Sequence, residues 1–372
     1  MSSIINKIQR IKDRGGKVVG CFPLYPPLEL FHSMDIIPVM LWGIDAMIAG
    51  VSESDKHLQS YVCSVARRLT EFVLTDGSRL LDGLFMYNAC DTLRNLPEIL
   101  ECGLAEKNIK VPLFNIHIPA MYTGQTDSSK YLKDEITGLV SKLEQEYGVA
   151  YSEKRFRESS DLYREMRSLS LELDALVSSG MIGFSDFSRI IHEGYVEPVE
   201  MQVESLKSWI KNCGSFPAGK KNPKDKHRVV VSGILPPPPS VCDIIEKSGF
   251  TVAGNDIASL YRSYYNHPEI TGDAGEFYID FYQNHFPCTT LLSTSDRRAE
   301  AIMNLIRERN ARGFIFIGEK FCEYEYFEIP FIDKMLRKEG INTLLLEFSI
   351  DDNENIEGFG TRIESFAEVM SG

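Results

Sequence analysis

The 372-residue chain lacks the sequence patterns of several common protein classes. No apolar run approaches the roughly 18 uncharged residues that a membrane-spanning helix needs. The GxGxxG pattern of dinucleotide-binding domains and the GxxxxGKS/T loop of ATP-binding domains are both missing, so neither NAD binding of that type nor direct use of ATP is expected. The seven histidines form no HExxH motif, and no two cysteines have CxxC spacing.

The charge balance is acidic and the hydrophobic content is ordinary. Forty basic and fifty-three acidic residues give a net charge of −13, which disfavours nucleic acid and anionic membranes as partners. Hydrophobic residues make up 43% of the chain, which is typical of a folded globular protein. The amino terminus has the pattern of a charged amphipathic helix without the apolar core of a signal peptide, so a cytoplasmic location is expected. The eight cysteines are then expected to be reduced thiols or metal ligands.

Short apolar runs alternate with helical patterns, which is typical of parallel α/β sheets. A strand, a proline-rich turn, a helix and a second strand are predicted at 17–42 and again at 228–254. A strand, a loop with a cysteine, a helix and a strand are predicted at 84–116 and again at 314–347. The repeat predicts two Rossmann-like or flavodoxin-like domains that arose by internal duplication. Pro38 argues against a central position for the strand that contains it.

The region between the two repeats is charged and helical in pattern, without convincing strands. Residues 213–227 have the Gly, Pro and Lys content of a linker. We therefore predict an N-terminal α/β domain at 1–125, a helical insert with linker at 126–222 and a C-terminal α/β domain at 223–372. Ligands of such open sheets bind beyond the carboxyl ends of the strands, which predicts a site in the cleft between the domains.

Three cysteines occupy junctions where a helix is about to begin. Cys90 and Cys322 follow corresponding strands of the two halves, and Cys63 begins a predicted helix. Three thiolates that converge from facing domains favour a soft metal or an iron–sulfur cluster. Cysteine is also among the most buried residue types, so core filling is the alternative for each of them. Filling is the better interpretation for the cysteines without such a context, Cys21, Cys102, Cys242 and Cys288.

Several segments together resemble the 2-hydroxyacyl-CoA dehydratase and benzoyl-CoA reductase family. They are GCFPLYPPLELFHSMDIIPVMLWG (20–43), YVCS (61–64), NACDTLRNL (88–96), GEKFCEYEYFEIP (318–330) and TRIESFAEVM (361–370). Their order and spacing agree with the family over almost the full chain, although the helical middle carries little signal. The length is similar to that of the smaller, β-type subunit of the dehydratases.

The resemblance implies one [4Fe–4S] cluster held by Cys63, Cys90 and Cys322, with a fourth iron position that has no cysteine. It also implies an oxygen-sensitive (R)-2-hydroxyacyl-CoA dehydratase built with a homologous α-type subunit. In that family an ATP-hydrolysing iron–sulfur activator delivers a low-potential electron. A ketyl radical then forms on the acyl-CoA thioester, and water is eliminated.

Three alternatives to this function stay open. The first alternative is a subunit of an ATP-dependent benzoyl-CoA reductase. The second is an electron-relay subunit that binds no substrate, and the third is a homologue without a cluster. Asp91 and Glu323 each follow a proposed ligand and are weak candidates for orienting the cluster or moving protons. Helix capping is the simpler role for Asp91. The YRSYY segment at 261–265 either lines the cleft or covers the second sheet.

Overall fold

The computed structural model describes residues 3–44, 48–121, 126–213, 227–269, 272–349 and 356–371. Within these ranges the strands form two four-stranded parallel sheets. The first sheet has the order β2-β1-β3-β4 and the second the order β6-β5-β7-β8, so both have the same plan. The strands are β1 Lys17–Cys21, β2 Ile36–Met40, β3 Gly83–Tyr87, β4 Leu113–Ile116, β5 His227–Gly233, β6 Phe250–Ile257, β7 Gly313–Glu319 and β8 Asn342–Phe348.

This arrangement confirms the predicted α/β fold with two parallel sheets. The predicted position of Pro38 is also confirmed, because β2 is an edge strand that pairs only with β1 among the described strands. Proline has no amide hydrogen to donate to a neighbouring strand. On an edge strand this missing donor can face away from the sheet, so no hydrogen bond between strands is lost.

Helices pack around both sheets, and in the described ranges none is long and apolar enough to cross a membrane. A π-helical turn at Val73–Gly77 follows the third helix. The α-helices are α1 Ser3–Asp13, α2 Leu28–Ser33, α3 Ser64–Phe72, α4 Ser78–Leu80, α5 Asp91–Glu106, α6 Thr126–Tyr147, α7 Glu153–Ser178, α8 Phe184–Gly194, α9 Val199–Cys213, α10 Pro239–Lys247, α11 Tyr261–Tyr264, α12 Ala274–Gln283, α13 Ser295–Glu308, α14 Glu323–Lys338 and α15 Ile356–Ser371.

The region between the sheets, 126–213, consists of the four helices α6–α9 and their connections. Helix α7 contacts α2 beside the first sheet and β6 of the second sheet, so it joins the two halves. The predicted linker and the predicted boundary at 222–223 fall largely within 214–226, outside the described residues.

The two largest hydrophobic cores do not follow the order of the chain. The core around the first sheet includes Phe277, Tyr278 and Phe281 of α12, which lies in the C-terminal third of the sequence. Helix α12 also packs against α6. The first half is therefore completed by a helix that returns from the second half, and the domain limits drawn along the chain remain a prediction.

Candidate cysteine site

Three cysteines each occupy the N-cap of a helix. Cys63 precedes α3, Cys90 precedes α5 and Cys322 precedes α14. The Cys90 and Cys322 helices follow β3 and β7, which occupy the same position in the two sheets. The amide of Leu93 donates to Cys90 Sγ at 3.5 Å. Free amides at a helix N-terminus favour negative charge, so at each thiol they oppose the effect of burial on ionisation.

The three thiols influence one another electrostatically. Burial raises the pKa of Cys63 to about 12, and the nearby Cys90 acts in the same direction. Burial also raises the pKa of Cys322, with further contributions from Glu325, Cys63 and Cys90. Cys90 likewise has a raised pKa, first because of burial. Thiols from both sheets therefore lie within electrostatic range of each other, and ionising them together requires a compensating positive charge.

The three N-cap cysteines are all partly buried and none is in a disulfide. Cysteine thiolates are the ligands of iron–sulfur clusters, and in a cubane cluster each thiolate binds a different iron. In the described ranges, no group of three His, Cys, Asp or Glu side chains is arranged to hold a single metal ion.

A hydrogen bond joins the two halves beside the thiols. Ser64, the residue after Cys63, donates its hydroxyl to the carboxylate of Glu319, the last residue of β7. Both side chains are buried. A hydrogen bond to a buried carboxylate is costly to lose, so this contact holds α3 against the second sheet.

Asp91 and Glu323 lie on the solvent side of Cys90. Both are exposed, and Asp91 forms an ion pair with Arg94 at 3.3 Å. Their negative charges contribute to the raised pKa of Cys90. The capping prediction for Asp91 is wrong, because Cys90 occupies the N-cap and Asp91 is the first residue of α5. The cysteine takes that position since its sulfur accepts the amide hydrogen that an aspartate oxygen would otherwise accept.

A buried charge cluster lies behind Cys322, and the sequence patterns did not reveal it. Arg262 donates from Nε to Asp256 Oδ1 at 2.7 Å. Arg298 donates to Glu328 Oε2 at 2.7 Å and to Asp256 Oδ2 at 3.1 Å, and it lies 3.5 Å from Glu325 Oε1. All five residues are buried. They bind β6, α11 and α13 to the first two turns of α14, the helix that Cys322 caps.

The electrostatic balance of this charge cluster is uneven. Burial raises the pKa of Asp256, but Arg262 and Arg298 together hold it below its usual range. Burial raises the pKa of Glu325, and the two arginines only partly oppose that rise. Glu325 Oε2 has no hydrogen-bond partner among the residues that the structure describes. Arg262 belongs to the YRSYY segment and Arg298 to a charged helix start, so sequence alone gave no sign that either is buried.

Cys288 has polar partners that core filling does not require. Arg262 Nη1 and the Tyr25 hydroxyl each donate to its sulfur at 3.3 Å, and Thr290 Oγ1 lies 3.2 Å away. The side chain is fully buried. This thiol therefore joins Tyr25 after β1 to the charge cluster of the second half.

A separate, mainly apolar cleft lies beside the helical layer. Its described lining includes Tyr25, Arg167, Ile190 and Leu206, and none of the three N-cap thiols. Arg167 is buried and pairs with the carboxylate of Glu29 at 2.5 Å. The structure thus offers an apolar cleft apart from the cysteine site.

Comparison with known proteins identifies the family. The model of the 2-hydroxyglutaryl-CoA dehydratase D-component family matches residues 23–370. The chain belongs to this family. The matched range contains all three N-cap cysteines and every strand except β1, so the family assignment covers the candidate cysteine site.

Individual members of the family align over nearly the full chain. The (R)-phenyllactyl-CoA dehydratase beta subunit of Clostridium sporogenes is 24% identical over 98% of this chain and 94% of its own length. The (R)-2-hydroxyglutaryl-CoA dehydratase beta subunit of Acidaminococcus fermentans is 24% identical over 98% and 95%. A benzoyl-CoA reductase subunit of Thauera aromatica is 25% identical over 86% and 82%. The chain is thus an enzyme subunit of this family, and its relatives are named as parts of multi-subunit enzymes.

Proposed function

We propose that this chain is the iron–sulfur β-type subunit of an (R)-2-hydroxyacyl-CoA dehydratase. Such an enzyme eliminates water from a 2-hydroxyacyl thioester after one-electron reduction to a ketyl radical. The observation that carries the proposal is the set of three N-cap thiols, drawn from helices of both halves. The dehydratase relatives, which align over nearly the whole chain, support the reaction class.

The cysteine site suits one [4Fe–4S] cluster with a fourth iron position that no cysteine occupies. Cys63, Cys90 and Cys322 would each supply a thiolate, and the positive cluster core would balance the charge that burial disfavours. When bound, the cluster supplies a one-electron carrier and an open iron position. The amides of α3, α5 and α14 orient the three sulfurs and stabilise their charge.

The remaining residues near the site have supporting roles in this proposal. Ser64 and Glu319 hold the two halves together, so that Cys63 and Cys322 keep their separation. The buried charge cluster fixes the start of α14. Asp91 and Glu323 lie at the rim, where an exposed carboxylate exchanges protons with solvent. Because Asp91 and Glu323 are exposed, we assign them proton exchange beside Cys90 and not contact with a reacting carbon atom.

The proposal includes partners and a compartment. A homologous α-type subunit would complete the enzyme, and acyl-CoA would be the substrate. Because the sequence has no ATP-binding loop, a separate ATP-hydrolysing iron–sulfur activator would supply the electron. We further propose a cytoplasmic location, which suits the reduced cysteines.

Benzoyl-CoA ring reduction is the second candidate function. The similarity to the benzoyl-CoA reductase protein favours it, since that identity of 25% is slightly above the 24% of the two dehydratase relatives. The reductase alignment covers less of both chains. We therefore rank the dehydratase first.

Anaerobic purification with iron and sulfide analysis tests the cluster. The wild-type chain should contain about four irons and four sulfides and absorb as a brown protein. Cys63→Ser, Cys90→Ser and Cys322→Ser should each lose them. Cys242→Ser is the matched control, because Cys242 is buried in the second core and donates to the carbonyl of Pro237. Fewer than about three irons in the wild type, or full iron in one of the three variants, would contradict the assigned ligands.

Turnover separates the candidate reactions. The chain, an α-type subunit and an activator should release water from 2-hydroxyacyl-CoA when supplied with ATP and a reductant. Ring reduction of benzoyl-CoA without dehydration would establish the second candidate instead. Locating bound acyl-CoA in the assembled enzyme then identifies which subunit holds it, and its presence in this chain would exclude the relay function.

A further inference from the structure

The apolar cleft lies where three parts of the chain meet. Tyr25 and Met40 of the first half line it at the carboxyl ends of β1 and β2. Arg167 of α7 and Ile190 of α8 come from the helical layer, and Tyr264 of α11 comes from the second half. Open parallel sheets bind ligands beyond the carboxyl ends of their strands, and ligand pockets occur preferentially between domains. The cleft therefore has the position of a binding site.

Arg167 brings an unused hydrogen-bond donor to the wall of the cleft. Its guanidinium pairs with Glu29 at 2.5 Å, and Tyr278 donates to the other oxygen of that carboxylate at 2.9 Å. The rings of Tyr163 and Phe281 lie against the guanidinium, with centroids 5.8 and 5.3 Å from its carbon atom. Arg167 is 2% exposed, and its Nε has no hydrogen-bond partner among the residues that the structure describes. A buried N–H without an acceptor is costly, so this atom favours a ligand that brings one.

Two other polar side chains of the cleft wall already donate to backbone carbonyls. Ser170 Oγ donates to the carbonyl of Met166 at 2.9 Å, and Gln202 Nε2 donates to that of Glu197 at 2.8 Å. The wall is otherwise mainly apolar. A matching ligand therefore has an apolar body and one hydrogen-bond acceptor, which Arg167 Nε contacts.

Charge and size narrow the class of ligand. Glu29 already balances the charge of Arg167, so a carboxylate ligand would place a second negative charge against one cation in an apolar cleft. Burying an unbalanced charge is far more costly than burying a hydrogen-bonded carbonyl group. The cleft has about 50 Å³ of space for water-sized groups, and each such group needs roughly 10–15 Å³. The bound part of the ligand is then a short chain of roughly four or five heavy atoms.

We propose that this cleft binds a short apolar chain that ends in an uncharged carbonyl group. The carbonyl oxygen accepts from Arg167 Nε, and the chain packs against apolar side chains of α8 and α9 such as Ile190 and Leu206. The carbonyl group belongs either to a free small molecule, such as an amide, or to the acyl end of a thioester. Because none of the three N-cap thiols is among the described lining residues, the proposal does not depend on the proposed cluster or reaction.

Saturation-transfer NMR on the full chain measures the binding of butyramide and of butyrate, which share a carbon chain and differ in charge. Butyramide should bind with a Kd on the order of 1 mM, as its about six heavy atoms allow. Butyrate should bind at least about 10-fold more weakly, because Glu29 already pairs with the cation. Arg167→Lys keeps a cation beside Glu29 but places a methylene group where Nε stands, so butyramide binding should weaken at least about 10-fold.

Ser205→Trp tests the cleft without changing the pair of Arg167 and Glu29. Ser205 is an exposed residue of α9 that lines the cleft, and an indole ring there should block entry and weaken butyramide binding at least about 10-fold. Ser208→Trp is the matched control, since Ser208 is exposed on the same helix and is not among the described lining residues. Its Kd for butyramide should equal that of the wild type.

Each result has a defined meaning. Butyramide binding that Arg167→Lys and Ser205→Trp both weaken, at an unchanged melting temperature, supports the proposal. If Arg167→Lys lowers the melting temperature, Ser205→Trp alone decides. No binding of about 20 mM butyramide to the wild type overturns the proposal, as does butyrate that binds equally well or a Ser205→Trp variant that binds like the wild type. When butyramide binds as expected, competition by butyryl-CoA identifies a thioester as the source of the carbonyl group, and its absence identifies a free compound.

Discussion

Removal of Arg298 should reveal the importance of the buried charge cluster. This guanidinium contacts Asp256, Glu325 and Glu328, and Arg262 pairs closely only with Asp256 among the described carboxylates. Arg298→Met would leave Glu328 without its cation and Glu325 with only Arg262, at 3.7 Å. Breaking a buried ion pair from one side costs about 3–5 kcal/mol, because a buried charge loses its partner. We expect a loss of that size in the free energy of unfolding at pH 7.

Urea unfolding followed by circular dichroism measures this change through linear extrapolation. Arg297→Met is the matched control, since Arg297 is the exposed neighbour on the same helix. A surface substitution of this kind should change stability by no more than about 0.5 kcal/mol.

The pH dependence provides a second check on the same variant. Burial already raises the pKa of Glu325, and loss of Arg298 raises it further. A carboxyl whose folded-state pKa is raised destabilises the protein as pH rises and is tolerated when protonated. The stability difference between Arg298→Met and wild type should therefore shrink between pH 7 and pH 5. A loss below about 1 kcal/mol at pH 7, or a difference that grows on acidification, would refute the reasoning.

Three further predictions concern buried polar groups and the metal. Burial lowers the pKa of His192 to about 4 and that of His285 to about 3, so stability should fall as pH drops from about 6.5 toward 4. A pKa shift of one unit is worth about 1.4 kcal/mol, so His192 alone should lower the free energy of unfolding by on the order of 3 kcal/mol between pH 6.5 and pH 4. If the denaturant midpoint does not change between these pH values, His192 is not buried as a neutral group. Ser64→Ala should cost about 1–3 kcal/mol by leaving the Glu319 carboxylate short of a donor, whereas Ser179→Ala at an exposed site should cost almost nothing in the same melts. Anaerobic removal of iron by a chelator should lower the melting temperature seen by calorimetry, and an identical temperature with and without iron would argue against a cluster joining the two halves.

The sequence determined the strands, the edge position of Pro38 and the placement of three cysteines at helix starts. These features depend on local periodicity, on proline's missing amide hydrogen and on the turn that follows each strand. The family resemblance rested on the same local segments, and the match over residues 23–370 confirms it. The assignment of the three cysteines as cluster ligands stays a prediction for the iron analysis.

Only the tertiary structure decided which polar groups are buried and which apolar groups are exposed. Arg262 and Arg298 have the sequence surroundings of surface residues, yet contacts between distant elements enclose both with Asp256. Helix α12 joins the first core although it lies far along the chain, because burial depends on which surfaces meet in space. Phe327 has the residue type of a core position but is exposed to solvent. The face of α14 that packs on the core carries Ile329, Ile332 and Leu336 instead.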